Sequence, residues 1–480
     1  MDSQNPFDFS SEDIRWAAAE NRLLSLELEF DRRCNYRCPY CYATADLDCP
    51  ATYNQNVVSE AIEQAASLGA RKIVLLGGEP LMQNRLGATI HEISERGMHT
   101  EIFTNGSLVN KEFAQLAKDF GCRVVVKLNC LDGPTHDRLT GVRDSLAKSL
   151  RALEFLQDAG LDSDHLCASS TISSINCQDV VQLWKYLRHR NIRPYFEILT
   201  PQGRLLEHRD LEIHPLELQK LFEELREFDA TLGHAWEAQP PLVAAKCLRH
   251  KYSALVNAQG DVFPCVGIDF KIGNILERPL RIILSESVVI QDLKNHREMI
   301  KGPCKSCEKA EECYGCRGAA FQLTGDYLAS DPLCWKNAGK QDQIHALPVD
   351  AAEYLPHKPP MTMISQIIEA REANVVTAKI APDNRFLGKN GILDQEAIPE
   401  LVAQAAAALD SFHYDGTIRQ GFLAIARDIR CLQDIRVNDQ LAISMTSEHP
   451  LPEWYLIRFS VTNQHNVICA NGEINVRLQE

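Results

Sequence analysis

The chain has 480 residues, 45% of them apolar and 24% charged, with a formal net charge of −15. This composition excludes a disordered or fibrous polymer and supplies enough apolar material for about three domains. So acidic a chain is not expected to bind nucleic acid, which calls for a surplus of phosphate-facing Lys and Arg.

Residues 1–20 are polar and acidic and read as an extension without a signal peptide. Residues 24–30 alternate apolar and polar positions and predict the first strand. Residues 55–68 place Val58, Ile62, Ala65 and Ala66 at helical spacing, and residues 72–76 are a short apolar strand. Strands near 100–103, 124–128, 166–172 and 195–199 alternate with helices near 111–119, 145–158 and 178–189. Six strand–helix units in series predict an α/β fold, a partial (β/α)6 TIM-like barrel with its chemistry in the loops after the strands. Residues 240–345 are dense in cysteine, with scattered Gly and Pro and little periodicity, as in segments held by metal rather than by a large core. Residues 346–480 predict an α+β domain. Its Ala- and Leu-rich helix lies near 395–412, among strands at 362–369, 375–380, 422–430, 440–445, 454–461 and 467–476. The expected divisions are therefore 1–23, 24–235, 240–345 and 346–480. No apolar run approaches the roughly 18 residues of a membrane span, so a cytoplasmic protein is expected.

The 17 cysteines cluster at short spacings in a long chain, which favours metal ligation in a reducing compartment over disulfides. Cys34, Cys38 and Cys41 lie in FDRRCNYRCPYCYA, directly after the first strand. Three thiolates can hold three irons of a cubane cluster and leave the fourth iron open to chelate a small molecule. A zinc knuckle would need a fourth ligand, and Cys49 is eight residues further on.

This CxxxCxxC motif, with Tyr40 before its last Cys, resembles the signature of the radical S-adenosylmethionine (SAM) superfamily. The resemblance implies a 4Fe–4S cluster whose open iron binds the amino and carboxylate groups of SAM. It also implies reductive cleavage to a 5′-deoxyadenosyl radical that abstracts hydrogen from a substrate, and an electron donor such as flavodoxin or ferredoxin. Gly77, Gly78, Glu79 and Pro80 follow the second strand and resemble the family's GGEP motif. By the same resemblance the cofactor-binding set extends to Asn105 after the third strand, Lys127 and Asn129 at the end of the fourth, and Ser170 and Asn176 in and after the fifth. Related enzymes often carry Ser or Asp where this chain has Lys127 and Asn129.

Further on come Cys247, the GxxxxC element ending at Cys265, Cys304-x2-Cys307-x5-Cys313-x2-Cys316, and Cys334. Read alone, these thiols suggest a zinc ribbon or an iron–sulfur site. Their order resembles the SPASM extension, with one residue fewer between Cys313 and Cys316 than is usual there. The resemblance implies two auxiliary 4Fe–4S clusters: one on Cys304, Cys307, Cys313 and Cys334, the other on Cys247, Cys265 and Cys316 without a fourth thiol. Val266 stands where sulfatase-maturing relatives carry Asp. About 23 residues precede the first strand, too few for the leader-peptide domain of some peptide-modifying relatives.

The segments YLPHKPP (354–360) and ELVAQ (400–404) resemble 3-hydroxyacyl-carrier-protein dehydratases of the hotdog fold. Glu400 matches the catalytic Glu of that family and Gln404 a neighbouring Gln. FLGKNG (386–391) lacks the loop His, and His357 matches a structural one. The expected function is radical modification of a peptide, a protein or a carrier-tethered substrate, with homodimerisation through the hotdog domain. The alternatives are an acyl thioester dehydratase or thioesterase with a regulatory iron–sulfur region, and an iron–sulfur scaffold.

Overall fold

The computed structural model describes residues 5–344, 347–370, 374–413, 418, 421–451 and 454–478. It divides into two compact units, Met1–Lys336 and Asn337–Glu480.

In the first unit, α1 (Ser11–Ala19) precedes β1 (Ser25–Asp31), and a capping box between Ser10 and Asp13 starts that helix. There follow α2 (Gln55–Ser67), β2 (Lys72–Gly77), α3 (Leu86–Glu95), β3 (His99–Thr104), α4 (Lys111–Asp119) and β4 (Arg123–Lys127). Next come α5 (Gly133–Thr140), α6 (Ser145–Asp158), β5 (Leu166–Ile172), α7 (Val180–His189), β6 (Arg193–Ile198) and α8 (Pro215–Thr231). Strands β1 to β6 stand side by side in sequence order, each parallel to the next. Alternate residues of β1, Leu26, Leu28 and Phe30, are fully buried in one core with Ile62 of α2 and Trp184 of α7. The sequence pattern did not mark α1, α3, α5 or α8.

The cysteine-rich segment joins this same sheet. Strand β7 (Ser253–Val256) pairs parallel with β1, and β8 (Asp261–Phe263) and β9 (Gly273–Asn274) continue antiparallel. Strands of two to four residues are too short to show a period in sequence. Four short helices complete the unit: α9 (Leu280–Glu286), α10 (Val288–Lys294), α11 (His296–Met299) and α12 (Arg317–Thr324).

In the second unit, α13 (Gln341–Ile344), β10 (Val349–Asp350), β11 (Gln366–Glu369) and β12 (Val375–Lys379) precede the long α14 (Ile398–His413). Then follow β13 (Gly421–Cys431), β14 (Gln440–Leu451), β15 (Trp454–Asn463) and β16 (Ile468–Leu478). The sheet is antiparallel, in the order β10-β11-β12-β14-β15-β16-β13. Leu401, Val402, Ala405, Ala408 and Phe412 of α14 are buried against Val376, Ile443, Val461 and Ile474 of the sheet. Among the described residues, no helix is long and apolar enough to cross a membrane.

His136 on α5 is fully buried, with Nδ1 2.7 Å from Ser145 Oγ. Burial lowers its pKa from the usual 6.5 to about 4. Below pH 6.5 the unfolded chain takes up a proton that the native chain refuses until about pH 4, so stability falls as pH falls through this window. The slope is up to ~1.4 kcal/mol per pH unit. The melting temperature should drop between pH 7 and pH 5, and His136→Gln should flatten that drop in a thermal-shift series.

Candidate functional site

The loop after β1 carries Cys34, Cys38 and Cys41, and neighbouring strand ends clasp it. Cys34 Sγ accepts from Tyr36 N (3.4 Å) and from Asn105 Nδ2 (3.9 Å). Burial, then the charges of Glu79, Cys38 and Cys41, push the Cys34 thiol up to about 12, against the Tyr36 N–H. Burial and Cys41 push Cys38 up to about 12 as well, with Lys127 and Arg204 acting in the opposite sense. The three thiols are therefore within electrostatic reach of one another. Among the described residues, no three His, Cys, Asp or Glu side chains converge closely enough to hold a single metal ion.

Gly77 and Gly78 press the end of β2 against this loop. Gly77 has φ +124°, and a Cβ there would lie 2.5 Å from Asp31 O. A Cβ on Gly78 would lie 2.0 Å from Arg33 O, while Gly78 N donates to Asp31 O (2.7 Å) and Glu79 N to Arg33 O (2.9 Å). Sequence reasoning assigned these glycines to the approach of a ligand; the close approach seen is of chain to chain. Glu79 is buried, and its carboxylate accepts from Thr104 Oγ1 (2.7 Å), Asn105 N (2.7 Å) and Leu81 N (3.0 Å). Burial still raises its pKa. Pro80 opens the short turn Pro80–Met82, which Glu79 caps. Glu79 thus fixes the loop after β3, where Asn105 Nδ2 also donates to Asn35 Oδ1 (2.8 Å).

Lys127 Nζ donates to Thr171 Oγ1 (3.0 Å) and lies 5.6 Å from the centre of the Tyr40 ring. Asn129 is buried and donates to the Tyr40 hydroxyl (2.8 Å). Asn129 O accepts from Ser170 Oγ (3.2 Å) and Asn176 Nδ2 (2.8 Å). Asn176 Oδ1 accepts from Ser173 N and Oγ (both 2.8 Å). Ser170 and Asn176, both fully buried, are engaged in tying the ends of β4 and β5 together.

Sequence reasoning missed Gly203 and Arg204. Arg204 donates to the carbonyls of Cys38 (2.9 Å), Thr44 (2.9 Å) and Ala45 (3.1 Å), and pairs with Asp46 (3.3 Å). Its N–H donates to Cys41 O (3.0 Å). Gly203, at φ +57°, leaves no room for a Cβ, which would meet Tyr42 O at 2.4 Å. The available signal was a Gly-Arg pair in the loop after the sixth strand, where barrels of this kind place function.

The later cysteines fall into two sets. The Cys316 thiol feels Cys247 and Cys265, and burial first, then Asp331 and these thiols, push it up to about 12. Burial also pushes Cys265 up to about 12, with Arg249 opposing. The Cys334 thiol, raised chiefly by burial, feels Cys304 and Cys313. Cys307 and Cys334 both act on Lys336. Arg249 Nη1 donates to Glu27 Oε1 on β1 (2.8 Å), which ties the first set to the barrel. Gly267 and Gly318 meet so closely that a Cβ on either would lie 2.7 Å from the other's Cα.

In the second unit, Glu400 accepts from Gln404 Nε2 (2.9 Å), and Gln404 is itself held by Met363 N and Met361 O. A cavity of about 130 Å³ is lined by His357, Glu400, Gln404, Ala403, Leu423 and Ile457, among others. His357 Nε2 lies 3.9 Å from Glu400 Oε1, and both line this cavity.

Residues 28–173 match the radical SAM superfamily, residues 247–308 the iron–sulfur cluster-binding SPASM domain, and residues 349–479 the ApeP dehydratase. An AdoMet-dependent heme synthase of Methanosarcina barkeri is 26% identical, over 67% of this chain and 98% of that protein. A PqqA peptide cyclase of Granulibacter bethesdensis is 24% identical, over 65% and 87%. Streptococcus suis SuiB bound to S-adenosylmethionine shares the fold, with a TM-score of 0.53 at 16% identity over 67% of this chain and 80% of that one. The radical SAM domain binds a 4Fe–4S cluster and SAM, and the SPASM domain binds auxiliary iron–sulfur clusters. The donor chemistry fits: each site gathers thiols, and at Cys34, Cys38, Cys265, Cys313, Cys316 and Cys334 the protein alone disfavours an ionisation that iron would favour.

Ala at position 78 cannot be accommodated beside Arg33 O, whereas Gly87 on α3 meets its nearest neighbour at an ordinary 3.7 Å. Gly78→Ala should cost about a third of the reconstituted iron, one cluster of three, and Gly87→Ala none, as read by iron and sulfide counts.

Proposed function

We propose, on the premise that this chain is a radical SAM enzyme of the SPASM type, that it modifies a peptide or a carrier-tethered substrate by hydrogen abstraction. The observation that carries this reading is the Cys34–Cys41 loop, clasped at the ends of parallel strands by Glu79, Asn105 and Arg204. Cys34, Cys38 and Cys41 would hold the first cluster. Cys304, Cys307, Cys313 and Cys334 would hold one auxiliary cluster, and Cys247, Cys265 and Cys316 the other. When bound, the first cluster and SAM supply reductive C–S cleavage and hydrogen abstraction.

The protein's own part is positional. Asn105 donates toward Cys34, Lys127 places a cation beside Cys38 and Tyr40, and Asn129 fixes the Tyr40 hydroxyl. Glu79, Ser170 and Asn176 hold the strand ends that carry these groups. A peptide substrate is supported by the PqqA peptide cyclases among the relatives and by SuiB, whose fold is known bound to precursor peptide SuiA. A thioester-tethered substrate is supported by the C-terminal pocket, where Glu400 and His357 face an apolar wall suited to an acyl group.

Reconstituted enzyme under dithionite should convert SAM to 5′-deoxyadenosine, and Cys34→Ala, Cys38→Ala or Cys41→Ala should abolish that conversion. An unreactive wild-type enzyme with full iron would overturn the reading. Glu400→Gln should weaken binding of a 3-hydroxyacyl pantetheine thioester to the full chain about tenfold by calorimetry, ~1.4 kcal/mol for a lost charge-assisted hydrogen bond.

A second copy is the expected partner of the C-terminal unit. Among the described residues, edge strand β13 pairs only with β16, and Phe422 and Leu423 on it are exposed. Phe422→Lys should shift the chain from dimer to monomer in light scattering.

A further inference from the structure

Arg317 is the first residue of α12, directly after Cys316, and only 1% of it is exposed. Its Nη1 donates to the carbonyls of Tyr327 (2.9 Å) and Ala329. Nε and Nη2 are just as buried and have no hydrogen-bond partner among the described residues. On a planar guanidinium, Nε–H and one Nη2–H share an edge, the fork that grips anionic acceptors. A buried cation with that edge unpartnered is costly enough to require an acceptor.

The surroundings locate the edge. Gly315, at φ +66°, gives Nη2 room: a Cβ there would lie 3.1 Å from it. The charge of Arg317 acts on the Cys313 thiol, whose set includes Cys304 and Cys334. The nearby carboxylate of Asp331 accepts backbone N–H groups, from Cys316 (2.7 Å) and Leu333 (2.9 Å), and feels the charge of Arg317 without a hydrogen bond to its Nε–Nη2 edge. The other thiol set has its own buried cation, Arg249, but the ion pair with Glu27 offsets that charge (2.8 Å). The two arginines therefore differ in hydrogen bonding: Arg249 donates to a carboxylate, whereas the Nε–Nη2 edge of Arg317 has no acceptor among the described residues although Asp331 lies near.

We propose that the Nε–Nη2 edge of Arg317 donates hydrogen bonds to sulfur of the auxiliary cluster held by Cys304, Cys307, Cys313 and Cys334, and makes it the more readily reduced of the two auxiliary clusters. Donors to cluster sulfur stabilise the more negative, reduced state and so raise the potential. Arg317 is a positioning residue here, and the proposal rests on the ligand sets assigned above.

The test uses full-length protein with Cys34, Cys38 and Cys41 replaced by Ala, so that only auxiliary signals remain. Parent, Arg317→Met and Arg317→Lys are titrated potentiometrically with electron paramagnetic resonance detection, with iron and sulfide counted in parallel. Arg317→Met should keep its iron and lower one midpoint potential while leaving the other unmoved. Arg317→Lys, with its charge but no fork, should restore part of the difference. Two unmoved midpoints, or two that move equally, would overturn the proposal. Should Arg317→Met lose iron, Arg317→Lys decides, and a midpoint equal to the parent's overturns it. A parent without two auxiliary signals refutes the ligand sets themselves, a separate failure visible before any Arg317 variant is made.

Discussion

A thiol drawn partly out of water resists ionisation, and this chain gathers such thiols close to one another. Burial dominates the upward shift at Cys34, Cys38, Cys265, Cys313 and Cys316, and neighbouring thiols add to it. A protein that kept such groups as free thiols would gain nothing from bringing them together. Iron is what turns the arrangement from a cost into a source of folding energy, because ligation supplies the positive charge that the interior lacks. The cysteine loop, the strand ends around it and the short-stranded SPASM region are built around that requirement.

The parallel sheet answers it by close approach. Gly77 and Gly78 let β2 press against the chain leaving β1, and Gly203 lets the loop after β6 reach Cys41 and Tyr42. Once the backbones are that close, Glu79 and Arg204 take up the freed carbonyls and N–H groups. Rigidity of the site thus comes from main-chain hydrogen bonds to a few charged side chains. Position of the ligands then depends on the strands more than on the loop's own sequence.

The C-terminal unit obeys other physics. Its core is mainly aliphatic, one helix against an antiparallel sheet, and a cavity beside that helix carries Glu400, Gln404 and His357. Gln404 spends its amide on Met361, Met363 and Glu400, which fixes the carboxylate's direction. His357 reaches the same cavity from a preceding segment, so the pair forms although the loop at 386–391 carries no histidine.

Sequence alone determined the parts whose physics is local. The spacing of Cys34, Cys38 and Cys41 declares a three-thiolate site, because ligands so near in sequence cannot lie far apart in space. The strand–helix alternation likewise announced the parallel sheet, because each unit buries its own apolar face, and the Ala- and Leu-rich helix near 395–412 was legible for the same reason. Tertiary structure decided what depends on chain segments distant in sequence. It made β7 a neighbour of β1, turned Ser170 and Asn176 inward, and set Arg204 on the cysteine loop more than 160 residues away. None of these has a periodic or spacing signature, since each arises from two elements meeting, and only the packed fold specifies which elements meet.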